Sequence, residues 1–112
     1  MKRIEAIIPE ENAGLVFAGL KELELGGFTY HSVKGRGARK REIVRSGSGR
    51  HESQFNLNTH FFVIVKDHMA EKVIDVITSL VSTGLKGEGK IFVTSVGDTV
   101  DVGTKIRGEP SL

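Results

Sequence analysis

The chain has 112 residues, 38% hydrophobic and 27% charged, with 16 Lys and Arg against 14 Asp and Glu for a formal net charge of +2. That length holds one modest core and excludes a second, so residues 1–112 read as a single domain, and the lack of cysteine excludes disulfides, thiolate nucleophiles and cysteine-ligated metal. No apolar run approaches a membrane span, and Met1–Lys2–Arg3–Ile4 leads into a charged strand rather than a secretory leader, so a cytoplasmic chain without membrane insertion is expected.

Ile4, Ala6 and Ile8 alternate with Arg3, Glu5 and Ile7, a period of two that predicts a strand closed by Pro9. Beyond Glu10–Glu11–Asn12, whose acids suit a helix N-terminus, Ala13, Val16, Phe17, Leu20 and Leu23 recur at three and four and predict a helix ending at Gly26–Gly27. Phe28 to Lys34 is rich in β-formers and reads as a second strand, stopping at Gly35–Arg36–Gly37. From Arg36 to about Phe55 no periodicity is sustained, so a flexible loop is expected over about 37–55. Asn58 to Val65 is the third strand, and its unbroken apolar run Phe61 to Val65 places it in the sheet centre. Asp67 is the expected N-cap of a second helix carrying Met69, Val73, Val76, Ile77 and Leu80. Lys90 to Val96 is the fourth strand, and the polar segment 97–112 has a short strand at Val100–Val102.

Strand, helix, strand, long loop, strand, helix, strand is the order of an α/β (α+β) protein of ferredoxin-like βαββαβ type, with helices on one face of an antiparallel sheet. Two helices cover one face, yet the Phe61–Val65 strand is apolar on both sides. The other face is therefore expected to pack against further copies of the chain.

Two stretches suit anions. Ser82–Thr83–Gly84–Leu85–Lys86–Gly87–Glu88–Gly89–Lys90 combines glycines that allow close backbone approach with hydroxyls and ammonium groups, although it has neither P-loop spacing nor a dinucleotide fingerprint. Arg36, Arg39, Lys40, Arg41, Arg45 and Arg50 against Glu42 give the long loop a net +5, which leaves −3 for the remainder. Such a patch fits an acidic partner surface, an anionic ligand or nucleic acid. Nucleic acid is the disfavoured choice, because the strands lack the interleaved aromatics of a base-stacking platform.

No nucleophile, base and orienting group assemble from these residues, so no catalytic residue is named and no enzyme is expected. His31 and His60 can face each other across paired strands; they read as structural groups, and no metal site is assigned. Ser46, Ser48 and Ser53 are loop hydroxyls open to modification.

Across nearly its whole length the chain resembles the nitrogen-regulatory PII signal proteins. The matching residues are Met1–Lys2–Arg3–Ile4–Glu5–Ala6–Ile7–Ile8, Val33–Lys34–Gly35–Arg36–Gly37, Thr83–Gly84, Gly87–Glu88–Gly89–Lys90–Ile91–Phe92–Val93 and Arg107–Gly108–Glu109. The resemblance implies a homotrimer that binds an adenine nucleotide in each of three intersubunit clefts and docks onto a protein target, a transporter or an enzyme, through the loop 37–55. It places Gly87, Gly89 and Lys90 at the phosphates, Gly35 and Gly37 at the loop base, and Thr29 and Ile64 beside the adenine, with Glu88 and Arg107 as further nucleotide-site residues. Arg36, Arg39, Lys40, Arg41, Arg45 and Arg50 become the partner- or anion-binding loop.

Departures from the family pattern bear on the ligands. Asp101 and Gly103 stand where the family usually has two phosphate-binding arginines, His51 where it has a modifiable loop tyrosine, and Arg39 and Asn58 where it has a glutamine and a lysine that serve magnesium-ATP and 2-oxoglutarate. The expected ligand is accordingly an adenine nucleotide with AMP or ADP favoured over ATP. An alternative is an inorganic-carbon-related PII-like protein that takes AMP or ADP with bicarbonate or another small anion.

Overall fold

A computed structural model describes residues 1–47 and 49–112. Six strands and two helices follow in the order β1 (Lys2–Pro9), α1 (Ala13–Lys21), β2 (Thr29–Gly35), β3 (Ile43–Ser46), β4 (Gly49–Glu52), β5 (Asn56–Val65), α2 (Ala70–Val81) and β6 (Lys90–Ser95). Four of the strands form one antiparallel sheet in the order β2-β5-β1-β6. This is the ferredoxin-like arrangement that the alternation of strand and helix predicts.

The core lies between that sheet and the helices. Ile4, Ala6 and Ile8 from β1, Phe61, Val63 and Val65 from β5, Val16 and Leu20 from α1, and Val73 and Ile77 from α2 are all buried. Phe61 is fully buried and meets Phe17 edge-on, with ring centroids 5.5 Å apart. Because side chains alternate along a strand, the neighbours Phe62 and Ile64 point to the opposite face, where no helix lies, and both are half-buried.

Three local expectations are corrected. The first concerns the stretch 37–55, which was expected to lack regular structure. It contains a hairpin, β3 paired with β4, whose ladder is extended by the Ser53 N–H donating to the Glu42 carbonyl at 2.8 Å. Alternation was hard to see because only Ile43 and Val44 are apolar, and both are exposed, so no buried face imposes a pattern. Asp67, expected to cap the second helix, instead opens a 3₁₀ turn, Asp67–Met69; its carboxylate pairs with the Met1 ammonium at 2.9 Å. The strand read at Val100–Val102 shrinks to a single bridge between Val100 and Arg107.

The hairpin's main contacts are between its own two strands. The molecule measures 59 × 30 × 22 Å with a radius of gyration of 16.8 Å, against about 13 Å for a compact chain of this length. A projecting element accounts for such an excess. Among the described residues no helix is long and apolar enough to cross a membrane.

Candidate functional site

The glycine loop leaves α2 at Ser82, where the backbone turns extended, and re-enters the sheet at Lys90. Gly87 and Gly89 have φ of +92° and +145°, conformations a side chain rarely adopts, and each also touches neighbouring backbone. A Cβ on Gly87 would lie 2.6 Å from the Arg39 nitrogen, and one on Gly89 2.6 Å from the Ile7 carbonyl oxygen. The loop is thus held between the end of β1 and the foot of the hairpin. Glu88 braces it from within, its carboxylate accepting the Thr83 N–H at 2.7 Å.

These contacts shape a cavity of about 660 Å³ between the loop, the end of β2 and the hairpin foot. It is lined by Gly35, Gly37, Gly87, Gly89 and Lys90, together with Arg36, Arg39 and Lys86. Four cations and no acid therefore surround it among the described residues, a field that favours an anion. Ile7 and Phe92 add apolar surface at its wall. A separate cavity of about 570 Å³ beside the hairpin has Glu10, Glu11 and Glu42 in its lining and lacks that one-signed character.

The hairpin foot is fixed by buried Asn56, whose Nδ2 donates to the Arg39 carbonyl at 3.3 Å. Arg39 Nη1 and Arg41 Nε are buried without a hydrogen-bond partner, although the Arg41 guanidinium reaches Glu52 at 3.3 Å. Further out, register sets Arg45 directly opposite Arg50. Lys40 lines a smaller cavity, about 500 Å³, with Thr83 and Lys86. Ser53 is engaged locally, its hydroxyl donating to the Phe55 carbonyl at 2.8 Å; Ser48 lies outside the described residues.

The remaining candidates sit elsewhere. Thr29 on β2 and Ile64 on β5 lie on the open sheet face, outside the cavity of their own chain. Arg107 also lies outside it, its Nε donating to Asp98 at 2.9 Å, and this guanidinium is the first cause that holds the Asp98 carboxyl below the ordinary range. The Asp101 carboxylate accepts the Thr104 N–H at 2.7 Å and the Thr104 hydroxyl at 2.9 Å, bonds that lower it likewise. It serves its own turn. Sequence reasoning missed Ile7 and Phe92 as cavity residues, since nothing in a strand's apolar pattern separates a wall from a core. It missed Asn56 as well, because a buried strut has no signature beyond being polar.

Fold and cavity together define a ferredoxin-like domain with a cationic cavity at the foot of a basic hairpin. The family whose model matches is described as nitrogen regulatory protein P-II, over residues 1–105. The chain is 32% identical over 112 residues to the nitrogen regulatory protein P-II of Azospirillum brasilense, covering 100% of each. It is 34% identical over 108 residues to that of Rhizobium meliloti (strain 1021), covering 96% of each. With the Arabidopsis thaliana P-II homolog the identity is 33% over 108 residues, 96% of this chain and 55% of the relative. The protein belongs to the nitrogen regulatory protein P-II family, a family of signalling regulators.

Proposed function

We propose that the protein is a non-enzymatic, cytoplasmic regulator that assembles as a homotrimer, holds an adenine nucleotide in the clefts between subunits, and controls a transporter or an enzyme through its basic hairpin. The observation that carries this reading is the cavity at the hairpin foot, where Gly35, Gly37, Gly87, Gly89 and Lys90 meet among Arg36, Arg39 and Lys86 with no acid among the described residues. Gly87, Gly89 and Lys90 would hold the phosphates, and Gly35 and Gly37 would let the hairpin root close over them. Thr29, exposed, and Ile64, half-buried on the same sheet face, would line the adenine from an adjacent copy. Glu88 acts by bracing the loop. Arg107 would join the site only by releasing Asp98.

AMP or ADP is proposed as the favoured ligand over ATP. Where the family pattern has two phosphate-binding arginines the chain has Asp101 and Gly103, neither of them a cation, so fewer donors would await a longer phosphate chain. A second reading adds bicarbonate or another small anion beside AMP or ADP. It is favoured by the buried, unpartnered Nη1 of Arg39, a cation with hydrogen-bonding capacity to spare.

Calorimetric titration of the intact protein with AMP, ADP, ATP and cyclic AMP tests the nucleotide reading, and repeating it with bicarbonate tests the second anion. Saturable binding of at least one nucleotide at one site per chain is expected. Absence of heat with all four at millimolar concentration overturns the reading.

A further inference from the structure

The sheet face that no helix covers carries a connected group of polar side chains. Register sets His31 on β2 directly opposite His60 on β5, and the rings meet edge to face with centroids 4.8 Å apart. His60 donates through Nε2 to Oε1 of Glu5 on β1, and this bond is the first cause that holds the Glu5 carboxyl below the ordinary range. The other Glu5 oxygen lies 3.6 Å from Arg3 Nε. The Arg3 guanidinium in turn sits 4.0 Å from the centre of the Phe62 ring. On the far side of Ile7, register brings Lys90 of β6 onto the same face. Arg3, Glu5, His31, His60 and Lys90 are thus the charged and titratable groups that the four strands place there, set among Ile7, Phe62, Ile64 and Phe92.

We propose that the His31–His60–Glu5 group makes association of the chain through this face depend on pH, copies joining in neutral to basic solution and separating as the imidazoles take up protons. The inference rests on the trimer reading above, in which this face meets other copies.

Histidine side chains change charge over roughly pH 5 to 8. With both imidazoles neutral, one carboxylate faces two cations, Arg3 and Lys90. A proton on His60 is matched by Glu5, to which it already donates. A proton on His31 has no carboxylate on these strands to meet, and its ring lies against His60. Each copy therefore carries up to two further positive charges toward its neighbours, and covering the face removes the water that would otherwise solvate them. The assembled state binds fewer protons than the separate chains, so by linkage acid favours the separate chains.

The test is sedimentation of the full chain from about pH 8 to about pH 5.5 for the wild type, His60→Gln, His31→Gln and the double variant, with circular dichroism at each pH. Glutamine keeps an N–H donor and does not titrate. We expect wild-type association to weaken by tenfold or more toward acid, the single variants to flatten that slope, and the double variant to remove it while the fold is unchanged. Equal association at both ends of the range overturns the inference and leaves the trimer reading intact. A monomer at every pH overturns both. A double variant that keeps the wild-type slope, or dissociation that merely follows unfolding, also overturns the inference.

Discussion

Gly87 rests on the backbone of Arg39, close enough that a Cβ would fall 2.6 Å from the Arg39 nitrogen. The loop proposed to hold phosphates and the foot of the hairpin therefore touch through main chain, which yields less readily than a side chain. Gly87→Ala adds both this clash and a strained φ of +92°, each sparsely tolerated geometry costing on the order of 1–3 kcal/mol. A lower melting temperature, weaker nucleotide binding and faster amide exchange at residues 36–41 are expected together. Unchanged exchange there with weakened binding would show that the contact does not couple the two elements.

Lys90 stands at the cavity wall as β6 begins. On the proposed reading its ammonium makes a charge-assisted hydrogen bond to phosphate, and such bonds contribute roughly 1.5–3 kcal/mol. Lys90→Ala should weaken ADP binding by about ten- to a hundredfold and leave the melting temperature of the ligand-free protein nearly unchanged. Calorimetry reads the first and scanning calorimetry the second.

Nucleotide rank is a separate matter. Competition among AMP, ADP and ATP, with and without magnesium, should give AMP or ADP affinities at least equal to that of ATP, and Gly103→Arg should shift the order toward ATP by supplying a cation. Asp101→Arg is the less clean variant, because it also removes the bonds to Thr104. A wild-type preference for ATP of roughly tenfold, or about 1.4 kcal/mol, would contradict the rank.

Acid should loosen the C-terminal segment first. Asp98 and Asp101 are both held below the ordinary carboxyl range, so their bonds stabilise the folded chain above the pH where the unfolded chain ionises, near about 4. That contribution is lost as pH falls through the depressed folded-state values. Asp98 is exposed and Asp101 only half-buried, so both are solvent-screened and a local effect rather than global unfolding is expected. Amide exchange between about pH 5 and 2.5 should rise in residues 98–108 before it rises in β1 or β5.

The hairpin should be the least protected strand pair. An isolated two-stranded ribbon is marginal in water, and β3 and β4 have no buried apolar face. Amides of 43–52 should exchange far faster than those of β5, whose alternate residues are buried, and a bound partner should slow them. Protection equal to that of β5 in the free protein would contradict this.

Legibility followed burial. Strands β1 and β5 and helix α2 press apolar residues into one core, so period and spacing announced them. Gly35, Gly37, Gly87, Gly89 and Lys90 were picked out together by the family resemblance; of these, Gly87 and Gly89 sit where positive φ and close backbone approach restrict the position to glycine, and the part of all five in binding remains a proposal. Thr29 and Ile64 differ: their proposed part depends on a second copy, which a single chain's pattern does not describe. The hairpin was hidden because its order comes from backbone pairing without a buried side, and Asp67 misled because a carboxylate before a helix suits an ammonium as well as a cap.

The pairing of Arg45 with Arg50 gives the hairpin a property of its own. Two guanidinium groups directly across a ladder repel, and like charges so placed destabilise the strands by a few tenths of a kcal/mol or more. In dilute electrolyte that repulsion acts at full strength, whereas at 0.1 M salt screening sets in over about 10 Å. An anion bound to both guanidinium groups would offset that repulsion by attraction to each. The Arg45–Arg50 rung is thus self-repelling, so the ionic strength of its surroundings sets how firmly this part of the hairpin holds before any partner touches it.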